Sequence, residues 1–389
     1  MCRWMRPWSL CAAGFMATDW AKIRSEFPAL QNWTFLNTAA FGQLPRCAAE
    51  AVRRHFEHRD ELACSDFLHW FDDMDRVREL VARLIHCNAE DIAFVPNAST
   101  GLSVLINGLL WRAGDRIVAL EGEFPNNSYF PLVLGKQGVE FVETPWENFE
   151  SAITPATRLV LMSTVNYTTG FRPPVEKIAR FLRDRGVLFY VDGTQSVGAL
   201  EFDIASVQPD VFAVHAYKWL LSPNGAGFVY VRPELRKTLP PNVVGWRSDR
   251  GWRGVDQLNH GVPEFSEAAE KYEGGMLNFS ALYAMGASVQ MMLDIGPAVI
   301  ERRVMELAGI ARGMLRETGA EIVHEDSPII AARFERRDAS QMARELKERR
   351  IQVSARHGNL RVSVHFYNNE EDIERLRQGL LSCAVSRNS

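Results

Sequence analysis

The stretch from residue 186 to residue 231 decides the fold; its sequence is GVLFYVDGTQSVGALEFDIASVQPDVFAVHAYKWLLSPNGAGFVYV. Residues 187–191 form a short, almost wholly apolar run, which is typical of a strand buried on both faces of a sheet. Residues 211–214 and 228–231 repeat this pattern. Asp192 ends the first run and Lys218 follows the second. Ligands of open α/β sheets bind at the carboxyl ends of the strands, so the pattern predicts a site that contains both side chains.

A lysine and an aspartate at one sheet edge suit the chemistry of pyridoxal phosphate (PLP). The amine can form a Schiff base with the aldehyde, and the carboxylate can keep the pyridine nitrogen protonated. An opposite charge at about 4 Å is worth about 4 kcal/mol at an effective dielectric near 20, which is enough to hold that proton. For an isolated pair, a helix-capping aspartate and a solvated lysine would be the simpler interpretation. The surrounding motif decides between the two.

The motif VDGTQSVG at 191–198, followed by HAYKWLLSPNGAGFVYV at 215–231, resembles the cofactor-lysine region of class V aminotransferases. That group includes cysteine desulfurase-like, kynureninase-like and isopenicillin N epimerase-like enzymes, and further matches extend from about Asp19 to Leu380. The resemblance implies fold type I, an α/β large domain with a mostly parallel seven-stranded sheet and a small α+β C-terminal domain. It also implies a role for each residue of the motif: Lys218 as the Schiff-base lysine, Asp192 as partner of the pyridine nitrogen, Gln195 as partner of the PLP phenolic oxygen, and His215 and Tyr217 as phosphate contacts.

Composition is that of a large enzyme. The chain has 389 residues, 47% of them apolar, and a net charge of −4. Scattered charges and short apolar runs indicate neither nucleic-acid nor membrane binding. Six cysteines without a CxxC pair are interpreted as free thiols in a reducing cytoplasm: Cys2, Cys11, Cys47, Cys64, Cys87 and Cys383.

Four segments are expected along the chain. Residues 1–16 are interpreted as a non-native or disordered N-terminal extension that precedes a start at Met16, with a weak signal peptide as the alternative. Residues 17–38 are expected to join the small domain, residues 39–275 to form the large PLP-binding domain, and residues 276–385 to form the small C-terminal domain. Residues 46–85 have the spacing of two helices, including a long one that packs on the sheet, and residues 281–318 have helical spacing throughout.

A phosphate site is predicted where PNASTGLSVLINGLL begins at residue 96. A strand-like run at 91–95 changes there to helical spacing, and a helix N-terminus attracts phosphate through its unpaired N–H groups and its dipole. A plain Ser/Thr N-cap is the alternative. The resemblance places the start of the family's phosphate cup at Ala98, Ser99 and Thr100.

Further contacts follow from the resemblance alone. Phe124 stands where related enzymes stack a ring on PLP, and Asn166 matches an asparagine that contacts the phenolic oxygen. Asn37, Thr38 and Ala39 lie in a loop that lines the substrate side. Relatives are dimers with active sites at the subunit interface, in which Gly274, Gly275 and Met276 would approach the neighbouring subunit's phosphate. Arg247, Arg250 and Arg253 are either a positive mouth for an acidic substrate or solvated loop residues.

Arg361 belongs to GNLRVSVHFYNNEEDI, which resembles the C-terminal signature of the group and implies that this arginine binds the substrate α-carboxylate. A guanidinium suits that task because its planar fork makes two parallel bonds to a carboxylate. A structural salt bridge is the alternative. Desulfurases place a nucleophilic cysteine just before this strand, whereas residues 352–359 are QVSARHGN. Persulfide chemistry would therefore lack its nucleophile.

The sequence predicts a cytoplasmic, homodimeric PLP enzyme that acts on a small-molecule amino acid, with a class V aminotransferase as the first hypothesis. A β-lyase of the selenocysteine lyase or cysteine-conjugate lyase type and an amino-acid epimerase are the alternatives, and a non-catalytic PLP-binding subunit is a third. Phe124 also disfavours a desulfurase, since desulfurases carry histidine there. No metal site is predicted, because His55, His58 and His69 lack a set of ligand-spaced partners.

Overall fold

The structure is a computed structural model that describes residues 18–385. The expected extension at 1–16, with Cys2 and Cys11, lies outside the described residues. Within them are thirteen strands: β1 Thr34–Phe35, β2 Ile92–Val95, β3 Arg116–Leu120, β4 Glu140–Thr144, β5 Thr157–Ser163, β6 Leu188–Asp192, β7 Val211–His215, β8 Gly227–Val231, β9 Glu321–Ile322, β10 Ile329–Arg333, β11 Ile351–Gln352, β12 Ser354–Arg356 and β13 Asn359–Ser363.

The same residues form thirteen α-helices: α1 Trp20–Ser25, α2 Arg46–Leu62, α3 Phe67–Ile85, α4 Ala98–Gly108, α5 Pro125–Leu134, α6 Phe149–Ala152, α7 Val175–Arg183, α8 Ile204–Val207, α9 Pro233–Thr238, α10 Phe279–Ile295, α11 Pro297–Glu317, α12 Ala339–Glu348 and α13 Glu370–Val385. The two helices predicted for residues 46–85 are confirmed. The continuous helical spacing predicted for 281–318 is wrong at one point. Gly296, with φ of 96°, ends α10, and Pro297 starts α11 because its fixed φ suits a first helical position.

Seven strands form the central sheet in the order β2-β8-β7-β6-β5-β3-β4. Neighbouring strands are parallel except where β8 pairs with β2 and β7, so the predicted mostly parallel sheet is confirmed. Its strands are buried on both faces, since Phe189 and Val191 of β6 enter one apolar core and Tyr190 enters the other. The carboxyl ends of β2, β3, β5, β6 and β7 therefore meet at one edge.

A second sheet has the order β12-β13-β10-β9 and is antiparallel. Its core includes residues of α11, α12 and α13 together with Leu36 from the N-terminal segment. That segment is also tied to the C-terminal part by backbone pairing, because β1 runs parallel to β11 and Asn37 bridges to Ser363.

Helix α10 packs against α2 and α3, and its apolar residues join the core beside the large sheet. The predicted domain boundaries at residues 38 and 275 stay predictions. No helix in the described part of the chain is both long and apolar enough to span a lipid bilayer.

Candidate active site

Lys218 lies in the turn that follows β7, and its side chain is buried with 7% exposed. Burial lowers the pKa of this amine to about 8, against the charge of Asp192, while Arg361 and Arg356 lower it further. The turn packs closely on Gly42, whose N–H donates to the Tyr217 carbonyl at 2.9 Å. A Cβ atom at position 42 would lie 1.9 Å from the Lys218 carbonyl oxygen, so this contact requires glycine. The lysine is thus held in place, and its amine is easily deprotonated.

Asp192 ends β6 beside Ser163 of β5 and is 6% exposed. Its Oδ1 accepts a hydrogen bond of 2.8 Å from the Thr194 N–H. Burial raises its pKa, which the hydrogen bonds from Thr194 and the charge of Lys218 oppose. No arginine, lysine or histidine among residues 18–385 lies within 4.0 Å of this carboxylate. The position favours a further cation beside it.

One cleft at the carboxyl edge of the sheet brings together eight of the predicted site residues: Ala98, Ser99, Phe124, Asp192, Gln195, His215, Tyr217 and Lys218. Asn126, Ser163, Tyr167 and Thr194 complete its lining. Each comes from the end of β2, β3, β5, β6 or β7, from the loop after it, or from the first turn of the helix that follows. The parallel strands therefore explain why residues so distant in sequence share one cleft.

The expected phosphate end lies at the start of α4. Asn97, which the sequence analysis did not single out, caps this helix. Its Oδ1 accepts from the Thr100 N–H at 2.9 Å and from the Thr100 hydroxyl at 3.2 Å. Asparagine before a helical run is a recognised N-cap signal. The polar groups of Thr100 are thus engaged within the helix, whereas Ser99 lines the cleft.

His215 ends β7 at the same edge. Its Nε2 is buried and has no hydrogen-bond partner among the described residues, and burial together with the charge of Lys218 lowers its pKa to about 4. The ring packs 4.2 Å from that of Tyr217, centroid to centroid. The neutral imidazole can therefore offer one free nitrogen to a ligand.

Phe124 and Tyr167 form one wall of the cleft. Phe124 is 44% exposed, and its ring centroid lies 5.5 Å from the Lys218 Nζ and 5.2 Å from the Tyr167 ring. Asn166 supports this wall, because its Nδ2 donates to the Gly122 carbonyl at 2.8 Å. Its Oδ1 accepts from both the backbone and the hydroxyl of Thr168. The amide thus shapes the loop and keeps one N–H available.

Gln195 connects the cleft to the N-terminal loop. Its Nε2 donates to the Ala39 carbonyl at 3.2 Å, and its Oε1 accepts from Trp219 Nε1 at 2.8 Å. The Ala39 N–H in turn donates to the Ser363 hydroxyl at 3.0 Å. The predicted substrate-side loop therefore contacts the strand that carries Arg361. Asn37 contacts the neighbouring strand, since its Oδ1 accepts from the Ser354 hydroxyl.

Arg361 lies on β13 and is 1% exposed. It donates to the Tyr167 carbonyl at 2.6 Å and to the Ser354 hydroxyl at 3.3 Å, while its buried Nε has no hydrogen-bond partner among residues 18–385. Within that range no carboxylate forms an ion pair with it. Burial lowers its pKa to about 9, and the charge of Arg356 contributes. The salt-bridge alternative is therefore wrong for the described residues, and an anionic ligand would suit this guanidinium.

Residues 274–276, which are expected to approach a neighbouring subunit, follow a buried ion network centred on Glu273. Glu273 accepts from Arg78 at 2.7 Å and from Arg247 at 2.8 Å, and Arg247 also donates to the Gly275 carbonyl. Met276 beside it is 58% exposed. The contact of Gly275 and Met276 with a partner's phosphate stays a prediction.

Of the two alternatives for Arg247, Arg250 and Arg253, the positive mouth has no support among the described residues, and solvated loop arginines fit Arg250 and Arg253 only. Arg247 is 1% exposed and stacks over Phe71 and Trp252. The exposed Arg250 and Arg253 pair with carboxylates of their own chain, Glu264 for the first and Asp72 and Asp75 for the second. Their charges are thus neutralised locally.

Glu123 is a site residue that the sequence analysis missed, although it directly precedes Phe124. It is buried and accepts from the Ser163 N–H at 2.8 Å and from Asn127 Nδ2 at 2.9 Å. Burial raises its pKa to about 7, and Asp192 adds to the effect. The Glu123 carboxyl group thus holds Ser163, the last residue of β5 and part of the cleft lining, in place.

The donor set fits PLP. A buried amine of lowered pKa can react with an aldehyde, and a buried carboxylate lacks a resident cation that a pyridinium would supply. The N-terminus of α4 and the unpartnered His215 nitrogen can take phosphate oxygens. In the described part of the chain no group of three or more His, Cys, Asp or Glu side chains is placed to bind a metal.

Comparison with known sequences gives extensive matches. A family model described as Aminotransferase class-V matches residues 34–376. A protein named probable cysteine desulfurase from Methanothermobacter thermautotrophicus is 25% identical over 400 residues, covering 94% of this chain and 98% of that protein. Isopenicillin N epimerase of Streptomyces clavuligerus is 28% identical over 402 residues, covering 93% of this chain and 98% of that protein.

Solved structures agree in fold. The cystine C–S lyase C-DES, in complex with its reaction product cysteine persulfide, superposes with a TM-score of 0.85 at 22% identity, covering 91% of this chain and 98% of that one. A second C-DES structure, with glycine covalently linked to the PLP cofactor, also has a TM-score of 0.85, at 21% identity, covering 92% of this chain and 98% of that one. At this level of identity the likeness shows the fold.

Proposed function

Since the chain belongs to the class V aminotransferase family, we propose that it acts on an α-amino acid and that its reaction is transamination. The fold is that of fold type I PLP enzymes, and the cofactor is pyridoxal 5′-phosphate. When bound, PLP supplies an aldehyde that takes up amino groups and a ring that stabilises negative charge at the substrate Cα. The overall reaction would move an amino group from an amino acid to an α-keto acid.

The observation that carries this proposal is the buried Lys218 amine in one cleft with Asp192. Its pKa of about 8 means that a substantial fraction is neutral near physiological pH, as a nucleophile and as a base. We assign to Lys218 the attachment of the cofactor and the movement of the Cα proton. We assign to Asp192 the protonated pyridine nitrogen, because a buried carboxylate is stabilised by an adjacent cation.

The remaining residues would bind and orient. Ser99, His215 and Tyr217 are proposed for the phosphate, and Gln195 and Asn166 for the phenolic oxygen. Thr100 is also proposed for the phosphate, which requires its hydroxyl to exchange its bond to Asn97 for one to the ligand. Phe124 is proposed to cover the ring. Arg361 would hold the α-carboxylate, which fits a guanidinium that is buried without a carboxylate partner among residues 18–385.

Sulfur transfer by a protein thiol has no support in the segment before Arg361. Residues 352–359 hold no cysteine, and β12 and β13 are joined by the two residues His357 and Gly358. Both have positive φ, 47° and 80°, which is typical of a tight type I′ turn. A nucleophile on a long loop would need a different connection.

The test is to incubate PLP-loaded protein with a panel of amino acids and an α-keto acid acceptor, and to follow the products and the absorbance of the cofactor. Transamination predicts a new keto acid, a new amino acid and pyridoxamine phosphate. Pyruvate with a released thiol or amine would instead show β-elimination, and an inverted amino acid would show epimerisation. Lys218→Ala protein serves as the control. No product from any amino acid would overturn the enzymatic proposal.

Epimerisation is the second candidate. It requires a second group that can return a proton to Cα, and the cleft offers one. Tyr167 lines the cleft, and its hydroxyl lies 3.3 Å from His357 Nε2. The 28% identity to isopenicillin N epimerase also supports epimerisation as a candidate. Inversion with uptake of deuterium at Cα in D2O, lost in Tyr167→Phe, would favour this reaction over transamination.

We also propose a homodimer with active sites at the subunit interface and a cytoplasmic location. The exposed Met276 next to a rigidly held Gly275 is compatible with a subunit contact. Sedimentation analysis of the PLP-loaded protein would test the dimer, and a monomer at micromolar concentration would contradict it.

A further inference from the structure

The hairpin of β12 and β13 carries two arginines on one face. Its register pairs Ser354 with Arg361 and Arg356 with Asn359. Residues paired across antiparallel strands, and residues two apart along one strand, project from the same face. Ser354, Arg356, Asn359 and Arg361 therefore share the face on which Arg361 contacts the Tyr167 carbonyl and Ser354.

Polar atoms on this face are left without partners. Asn359 is 4% exposed, and its buried Oδ1 has no hydrogen-bond partner among the described residues. The same is true of Arg361 Nε. A buried polar atom without a partner costs stability, so both atoms are available to a ligand that reaches this face.

Arg356 is half-buried at the end of β12. Its guanidinium Nη1 donates a hydrogen bond of 2.8 Å to the Ala355 carbonyl. No carboxylate in residues 18–385 forms an ion pair with it. This differs from Arg250 and Arg253, which both pair with acidic side chains. A ligand can therefore reach the Arg356 guanidinium, and no acidic side chain of the described residues neutralises its charge.

Positive charge is in surplus next to the cleft, where Arg361 bonds to the carbonyl of Tyr167, a cleft residue. Arg356 is close enough to lower the pKa of both Lys218 and Arg361. Asp192 is expected at the far end of the ligand, at the pyridine nitrogen. One α-carboxylate can neutralise Arg361, but it leaves Arg356 without a counter-charge.

We propose that Arg356 binds a second carboxylate, at the end of the substrate side chain, so that the substrates are acidic α-amino acids. This inference rests on the proposed function, because Arg361 must hold the α-carboxylate. Arg356 lies diagonally across the hairpin from Arg361 on the same face, which places its guanidinium for a group a few bonds further from Cα.

Binding is tested first without catalysis. PLP-loaded protein is titrated by calorimetry with unreactive dicarboxylates, succinate and glutarate, and with propionate and butyrate as matched monocarboxylates. We expect a dicarboxylate to bind on the order of tenfold to a hundredfold more tightly, as one charge-assisted pair provides. In Arg356→Gln this preference is expected to disappear, and in Arg356→Lys to be partly kept.

Arg349→Gln is the matched control, because Arg349 is exposed at the end of α12, donates to the Glu345 carbonyl, and is not among the charges that act on Lys218 and Arg361. It should keep the full preference. Circular dichroism and thermal unfolding confirm that each variant folds. A preference that survives in Arg356→Gln, or an equal loss for mono- and dicarboxylates, would overturn the subsite.

Activity then tests the substrate class. For Arg356→Gln we expect kcat/KM to fall on the order of tenfold to a hundredfold for acidic amino acids and about threefold or less for neutral ones of equal length. Equal losses for the two classes would contradict the proposal. Should the protein transform no amino acid at all, the proposed function fails, while the dicarboxylate titration still decides whether the subsite exists.

Discussion

His365 and Trp219 are joined by a hydrogen bond of 2.9 Å from the imidazole Nε2 to the tryptophan carbonyl, and both side chains are fully buried. The Nδ1 atom accepts from the Phe366 N–H, so the ring is neutral with its proton on Nε2. Burial agrees with this, since it lowers the pKa of His365 to about 3. Trp219 follows Lys218 in the chain.

This hydrogen bond completes a chain of hydrogen bonds between the turn that carries Lys218 and the β13 segment that carries Arg361. From Trp219 the path continues through Gln195 and the backbone of Ala39 to the hydroxyl of Ser363, two residues before His365. Polar networks in which each member is satisfied hold a buried region in one arrangement. The two residues proposed to contact the substrate are thus fixed relative to each other.

His365→Phe should weaken this path. Loss of the donor leaves the Trp219 carbonyl unsatisfied, which costs about 1–3 kcal/mol in free energy of unfolding. The turn that carries Lys218 should also shift, so kcat should fall more than KM changes. Urea denaturation and steady-state kinetics measure the two effects. Because the ring is neutral down to a pKa of about 3, the loss should be the same from pH 5 to pH 9; a loss confined to one end of that range would assign His365 a different role.

Lys218→Ala should abolish covalent attachment of PLP. Borohydride reduction followed by peptide mass spectrometry should label Lys218 in the native protein and no lysine in the variant. Lys136→Ala, which alters a lysine outside the cleft, is the control and should be labelled like the native protein. Labelling of another lysine would refute the assignment.

Attachment of PLP should depend on pH with an inflection near 8. The pKa of Lys218 is lowered from its usual value of 10.5 to about 8, chiefly by burial. Below this pH the amine is protonated and cannot attack the aldehyde, so the rate should rise as pH increases through 8. Stopped-flow absorbance of the cofactor-free protein mixed with PLP records the rate. A rise that begins only near 10.5 would show that the amine is solvated.

Asp192→Ala should leave PLP bound and lower kcat by orders of magnitude, with a much smaller change in KM. The reason is that the substitution removes the negative charge proposed to hold the pyridine proton. Asp192→Glu tests the charge itself and should recover part of the activity if the cavity accepts the longer side chain. Normal turnover in Asp192→Ala would eliminate the proposed role.

Cysteine should produce no persulfide on the protein. The segment at 352–359 has no thiol, and burial raises the pKa of Cys47 and Cys87 to about 12, so neither is a ready nucleophile. Intact-protein mass spectrometry after exposure to cysteine is the measurement. An added sulfur that forms at a catalytic rate and is lost when one cysteine is mutated would restore the desulfurase hypothesis.

The sequence predicts the fold well where local patterns decide it. Apolar runs locate the parallel strands, and the residues at their ends meet because parallel strands share one carboxyl edge. The break at Gly296 is missed because helical spacing continues on both sides of it. The burial of Arg247 is missed because its partner Glu273 and the rings of Phe71 and Trp252 are brought to it by the tertiary fold.

The site shows the same division. Motif and strand position bring Lys218 and Asp192 to the cleft, and Phe124 is suggested by the family resemblance alone. Glu123 and His365 are found only when hydrogen bonds are visible, because a polar residue beside a motif has the same appearance in a sequence whether it is buried or solvated. Asn97 carried an N-cap signal that the sequence analysis did not use. The sequence of residues 352–361 does not show that Arg356 and Arg361 lie on the same face of the hairpin. The pairing register of β12 and β13 shows it.

The pairing of the N-terminal segment with the C-terminal part bears on biosynthesis. Arg24 bonds to the Tyr367 carbonyl 343 residues away, and β1 pairs with β11. At about 5–20 residues per second, a ribosome needs roughly 20 to 70 s between the two ends. During that time Phe27 and Leu36, which are buried in the finished fold, have no C-terminal partner. We expect ribosome-bound chains that end before residue 350 to be cleaved readily near residue 30, and resistance to arise only after release.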